Sequence, residues 1–142
     1  LPLGTLGMVT DFTLPSTFIL SHIVIWNGHQ GAEGPPTRGI NDVEILTSTN
    51  GGLNLVSHGM ISVGEATQSA PGSGGPDHTE ALAANANFVR FNVTSNYGDP
   101  AFISLREVRF YGTAIPEPST ATLLGLGLAG MASVSRRRAG RR

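Results

Sequence analysis

Asp77, His78 and Glu80 form the one close cluster of acids with a histidine in this sequence, and Ser73 and Thr79 supply hydroxyls beside them. Acid, imidazole and hydroxyl are the parts of a hydrolytic triad. That chemistry needs a rigidly held nucleophile, however, and EATQSAPGSGGPDHT (65–79) offers neither a regular element nor a G-x-S-x-G elbow. Catalysis is therefore not expected. The four histidines, 22, 29, 58 and 78, include no pair at a metal-binding helical spacing, so zinc is not expected either. Binding chemistry is better represented. Asn27 and His29 stand at a strand-to-loop exit beside Trp26, and sugar sites need planar hydrogen-bonding groups next to an aromatic face. Trp26 also has the parity of Leu20 and Val24, which favours a place in the core. Arg38 and Arg90 carry guanidinium forks suited to a carboxylated sugar, or to ion pairs with Asp42 or Glu44. The candidate ligand-binding residues are Asn27, His29, Arg38, Asp77 and His78, on two long loops, 27–39 and 65–79.

The elements that must position them are strands. From Asp11 onward, short apolar runs alternate with Gly, Pro, Asn and Ser clusters, and nothing before Ile115 has helical periodicity, which predicts an all-β sandwich. Expected strands are Phe12–Leu14, Ile19–Trp26, Val43–Thr49, Leu53–Val63, a short edge strand at Glu80–Ala83, Phe88–Thr94 and Ile103–Tyr111. Asn50-Gly51-Gly52 marks a tight turn. Along Phe88–Thr94, residues Val89, Phe91 and Val93 share one face and Phe88, Arg90 and Asn92 the other. In the last strand Val108 and Phe110 point inward, leaving Glu107 and Arg109 outside.

Charge divides the chain. Residues 1–114 hold four Arg against nine acids, a net of −5, whereas the last 28 residues hold five Arg and one Glu; there is no Lys and no Cys. An acidic body is a poor partner for nucleic acid. The missing cysteines exclude a disulfide framework, which a single domain of this size does not require for export.

The C-terminal stretch IPEPSTATLLGLGLAGMASVSRRRAGRR (115–142) has three pieces in order. Pro116-Glu117-Pro118 is a stiff, non-helical spacer. Ser119–Ser135 is uncharged and, as a helix, about 25 Å long, slightly less than a bilayer's hydrocarbon core of about 30 Å. Arg136, Arg137, Arg138, Arg141 and Arg142 would stay on the cytoplasmic side of a membrane and leave the body outside. These pieces together resemble the PEP-CTERM sorting signal of Gram-negative bacteria, which is recognised by exosortases. The resemblance implies export, a transient stay of the C-terminal hydrophobic helix in the inner membrane, removal of the tail, and release or attachment at the cell surface, often with the extracellular polysaccharide of a biofilm matrix. Leu1–Thr10 has no leader pattern, so the sequence reads as lacking its natural start.

Three stretches of the body, DFTLPSTFILSHIVIWN (11–27), TRGINDVEILTSTNGG (37–52) and FVRFNVTSNYGDPAFISLREVRFYG (88–112), resemble the discoidin or coagulation-factor C-type domain. This implies a galactose-binding-like jelly-roll β-sandwich with ligand loops at one end, commonly binding carbohydrate. It also implies that an opening strand precedes the region seen here, and that Glu107 matches a structural-calcium ligand. A carboxylate oxygen is a suitable hard donor for that ion. The expected organisation is a remnant at 1–9, a discoidin-like sandwich at 10–113 and a sorting tail at 114–142. The expected function is an exported surface or matrix protein that binds carbohydrate. Alternatives are a structural surface protein without a sugar site, and an accessory module of a secreted glycan-acting enzyme.

Overall fold

β-Branched and aromatic residues dominate the apolar runs, and each run becomes a strand. The computed structural model describes residues 7–28, 37–66, 75–116, 122–127 and 131. Among these described residues five antiparallel strands, β1 (Met8–Asn27), β2 (Asp42–Ser48), β3 (Val56–Ser62), β4 (His78–Val93) and β5 (Leu105–Ala114), pair in the order β3-β2-β4-β1-β5.

One continuous ladder becomes two layers because its two longest strands bend. β1 and β4 pair from Met8↔Val93 to Ile25↔His78, but between Thr13 and Phe18 the register shifts, so that four residues of β1 (14–17) face Asn87 alone. Pro15 lies in this break, where its missing N–H costs no ladder bond. The result is visible across the core. Phe12 lies eleven residues before Ile23, the partner of Phe110, a separation of about 36 Å in an extended strand. Yet the Phe12 and Phe110 rings are 5.2 Å apart, edge to face. One layer contains β3, β2, the end of β4 and the start of β1; the other contains the start of β4, the end of β1 and β5. Between them lie Leu20, Ile23, Ile25, Ile40, Val43, Ile45, Val63, Leu82, Ala86, Val89, Phe91 and Val93. The described residues thus form an all-β sandwich followed by a short C-terminal helix, as the sequence predicts.

Several details differ from expectation. Phe12–Leu14 and Ile19–Trp26 are two ends of one strand, and Glu80–Ala83 is part of the longer β4, in the half that pairs with β1 alone and so lies at an edge as expected. The Ala84-Asn85-Ala86-Asn87 stretch has weak strand propensity, and pairing with β1 overrides it. Leu53 falls in the turn closed by Gly51 and Gly52, whose φ of 70° and 89° require glycine, and the strand begins only at Val56. A second register shift, between Leu20 and His22, moves the inward positions of β1 onto Ile23 and Ile25. Trp26 therefore leaves the core and lies half-buried on the outer face. In the tail, 122–127 and 131 are helical, and no helix among the described residues is long and apolar enough to cross a membrane.

Candidate functional site

The predicted residues that are described, Asn27, Arg38, Asp77 and His78, lie at the end of the sandwich where β1 stops. Asn27 ends β1 with 1% exposure, and its amide is fully used inside the fold. Nδ2 donates to the carbonyls of Ile40 (2.7 Å) and Gly64 (2.8 Å), while Oδ1 accepts from the N–H groups of Gly28 (2.9 Å) and Ile40 (2.8 Å). Its backbone N–H donates to Asp77 Oδ2 at 2.7 Å. Asn27 thus fastens three chain segments together and has no amide capacity left for a ligand. Its role is to position the loops.

Arg38 leaves this knot on the segment before β2. Its Nε donates to Asp99 Oδ2 at 2.8 Å, and its guanidinium lies 4.3 Å from the centre of the Phe102 ring. Asp99 is fixed in turn, with Oδ1 accepting from the N–H groups of Ala101 (2.8 Å) and Phe102 (2.9 Å). The Ala101 N–H and the Arg38 guanidinium hold this carboxyl below the usual aspartate range. Beneath the turn, buried Asn96 donates through Nδ2 to the carbonyls of Asp99 (2.8 Å) and Phe102 (3.0 Å) and accepts from the Gly98 N–H (3.0 Å). Phe102 is therefore an exposed ring (55%) on a braced turn, with a cation on one side. An aromatic surface beside a fixed ion pair suits a ligand with both apolar faces and hydroxyls.

Asp77 sits on the same end, and its backbone N–H donates to the Ile25 carbonyl at 3.0 Å. Nearby, the Tyr97 hydroxyl donates to the Val63 carbonyl at 2.6 Å. Burial, then the charges of Glu65, Asp42 and Asp77, raise its pKa, so it remains a donor. His78 opens β4 and donates through Nε2 to Glu80 Oε2 at 3.2 Å, away from the Asp77 carboxylate's contact with Asn27. His29 and most of both long loops lie outside the described residues.

Two ion pairs differ from those expected. Arg38 pairs with Asp99, and Arg90 pairs with Asp11 through two bonds of 2.7 Å, drawing the Asp11 carboxyl down. Asp42 and Glu44 are engaged instead by Ser95 and Ser62, and by Ser57 and Asn92. The sequence reading also missed Phe102 and Asp99. Its available signal was turn chemistry at Asn96-Tyr97-Gly98-Asp99, a loop able to carry an outward aromatic.

Glu107 lies on the outer face, where its Oε1 accepts from Arg109 Nε at 2.6 Å and Arg109 covers Trp26 at 4.7 Å from the ring centre. Among the described residues no three His, Asp or Glu side chains gather as a metal site. Glu107 by itself supplies one carboxylate, already engaged, so the described donors do not form a calcium cage.

This geometry has counterparts in known structures. The C-terminal domain of a chitobiase from Bacteroides fragilis is similar at 16% identity with a TM-score of 0.56, over 78% of this chain and 66% of that one. GH31 CBM32-2 bound to GalNAc is similar at 16% identity and a TM-score of 0.56, over 78% of this chain and 68% of that one. The chain thus spans about two thirds of each. Among curated proteins no sequence matches it. The body accordingly shares its discoidin-like β-sandwich fold with these two domains. Residues 114–138 match the PEP-CTERM protein-sorting motif. The chain therefore joins a β-sandwich body to a C-terminal PEP-CTERM protein-sorting motif.

Proposed function

We propose that this protein binds an extracellular polysaccharide, without catalysis, through the end of the sandwich that carries Arg38, Phe102 and Asp77. The observation that supports this most is the exposed Phe102 ring, braced from below by Asn96 and flanked by the Arg38–Asp99 pair. The ring supplies a stacking surface for a sugar. Arg38 and Asp77 supply polar contacts at its margin, and His78 extends them along β4. Asn27 holds the arrangement in place. A net charge of −5 on residues 1–114 disfavours nucleic acid as a ligand.

Retention on a panel of neutral and acidic polysaccharides in affinity electrophoresis tests the reading. Phe102→Ala is expected to weaken retention roughly tenfold, since a lost aromatic contact of about 1–1.5 kcal/mol corresponds to that factor. Its exposed position should leave the melting temperature nearly unchanged. Absence of retention on every polysaccharide by the parent chain would favour a structural surface protein instead.

The same proposal places the tail in the inner membrane for a time, after which an exosortase removes it near Pro116–Thr120. Arg136–Arg138 and their neighbours resist translocation at about 2.5–3.5 kcal/mol each at mid-membrane, so the segment pauses with its Pro-Glu-Pro triplet outside. Intact-mass measurement of the surface form, in a host with an exosortase, is expected to show a chain without Arg136–Arg142. A dominant species ending at Arg142 would overturn the processing. Calcium bound through Glu107, with its other ligands supplied from outside the described residues, is a further part of the proposal, and the ion would have to draw that carboxylate away from Arg109. Its consequence is a higher melting temperature in calcium than in chelator, and equal values would remove it.

A further inference from the structure

The strand that completes the sandwich runs directly into the sorting motif. β5 ends at Ala114, the motif begins at 114, and the N–H of Ile115 still donates to the Thr17 carbonyl at 2.8 Å. Only residues 116–121 separate this last tie from the helical residues at 122–127. Seven residue steps at about 3.3–3.6 Å give a reach of no more than about 25 Å. Whatever holds the tail therefore holds the body close.

The surface at this exit carries no formal charge. Residues 12–21 and 110–116 contain no Asp, Glu or Arg, although residues 1–114 carry thirteen such charges elsewhere. Leu14, Pro15, Phe18, Leu20, Phe110 and Gly112 line an open apolar cleft of about 90 Å³. Beside it Ile19 is 53% exposed on the outer face. Anionic headgroups repel a net acidic body wherever its carboxylates face them, and this uncharged end, the one joined to the tail, escapes that repulsion. The Asn27 end lies ten residues further along β1, about 30 Å away.

From the short tether and this charge-free apolar end together, we propose that, before tail removal, residues 14–19 and 112–115 rest against the lipid surface. Ile19 and the Phe18 cleft contact the acyl boundary, and the Arg38–Phe102 end is turned outward. The inference rests on the reading of the tail as a transient membrane segment. It adds that the domain has a fixed orientation, with its ligand loops presented to the exterior before release.

The absence of cysteine makes single-site labelling direct. Full-length Ile19→Cys and Phe102→Cys variants would each carry an environment-sensitive fluorophore and be mixed with phosphatidylethanolamine–phosphatidylglycerol vesicles containing nitroxide-labelled lipid. Melting curves matching the parent would establish that each variant is folded. The expected result is co-flotation of both, with quenching several-fold stronger at position 19 than at position 102. Co-flotation with equal quenching, or with the order reversed, would overturn the orientation while leaving the membrane reading intact. Failure to float would overturn both.

Discussion

Replacing Asn27 with Ala is expected to lower the melting temperature of the body by about 15 °C or more. The amide serves two donors and two acceptors of the backbone at a site with 1% exposure. Buried groups left without partners cost about 1–3 kcal/mol each, and a loss of about 3–5 kcal/mol for the set is reasonable after relaxation. At about 4–8 °C per kcal/mol for a domain of this size, the shift is large. Asn27→Asp separates the hydrogen bonds from mere packing. It keeps the acceptor facing Gly28 and Ile40 but sets a carboxylate oxygen against the carbonyls of Ile40 and Gly64. That repulsion raises the folded-state pKa of the new carboxyl above its unfolded value, so the variant should regain stability as pH falls from about 7 towards about 5. Thermal melts at both values decide the matter. Equal losses for Ala and Asp at both pH values would show that the amide is not the fastening.

The second large effect is expected at Gly112. A Cβ there would collide with the Ile19 carbonyl oxygen and lie 2.9 Å from Leu20 Cα. These are backbone atoms of the paired strand, so no rotamer change relieves the contact. Gly112→Ala should cost about 2–3 kcal/mol, within the range for overpacked sites, and should loosen the end of β5 from β1. Hydrogen exchange at Thr113–Ile115 should accelerate, because the Ile115–Thr17 bond lies just beyond the forced gap. Gly75→Ala is the control: nothing lies within 4 Å of its Cβ position, and it should change stability by less than about 0.5 kcal/mol. Unchanged exchange at Thr113–Ile115 in Gly112→Ala would show that the strand end yields without consequence.

Much of the architecture is legible in the residues. Val89, Phe91 and Val93 alternate and are buried, and Val108 and Phe110 pack inward as their parity requires. What the sequence hides is the insertion of extra residues into a ladder. The shift between Leu20 and His22 reverses the facing of everything after it, which is why Trp26 stands under Arg109 and not in the core. The site is less legible for a related reason. Asn27 looks like a ligand residue because its side chain is polar and stands at a loop, but its partners are backbone groups at residues 28, 40 and 64. Phe102 is passed over because one aromatic in a turn has no pattern. Its meaning comes from Arg38, 64 positions earlier, and only folding brings the two together.

The far edge of the sheet carries another such insertion. Between Met60 and Ser57, β3 holds two residues opposite the single Ile45 of β2, and Gly59 takes φ 96° to make the kink. β3 is an outermost strand with exposed Val56 and Met60, the profile of a template for a neighbouring chain. The kink leaves a straight incoming strand able to match only two or three residues before its hydrogen bonds fall out of step. Such an irregularity limits edge-to-edge pairing between copies of the chain however closely they are crowded.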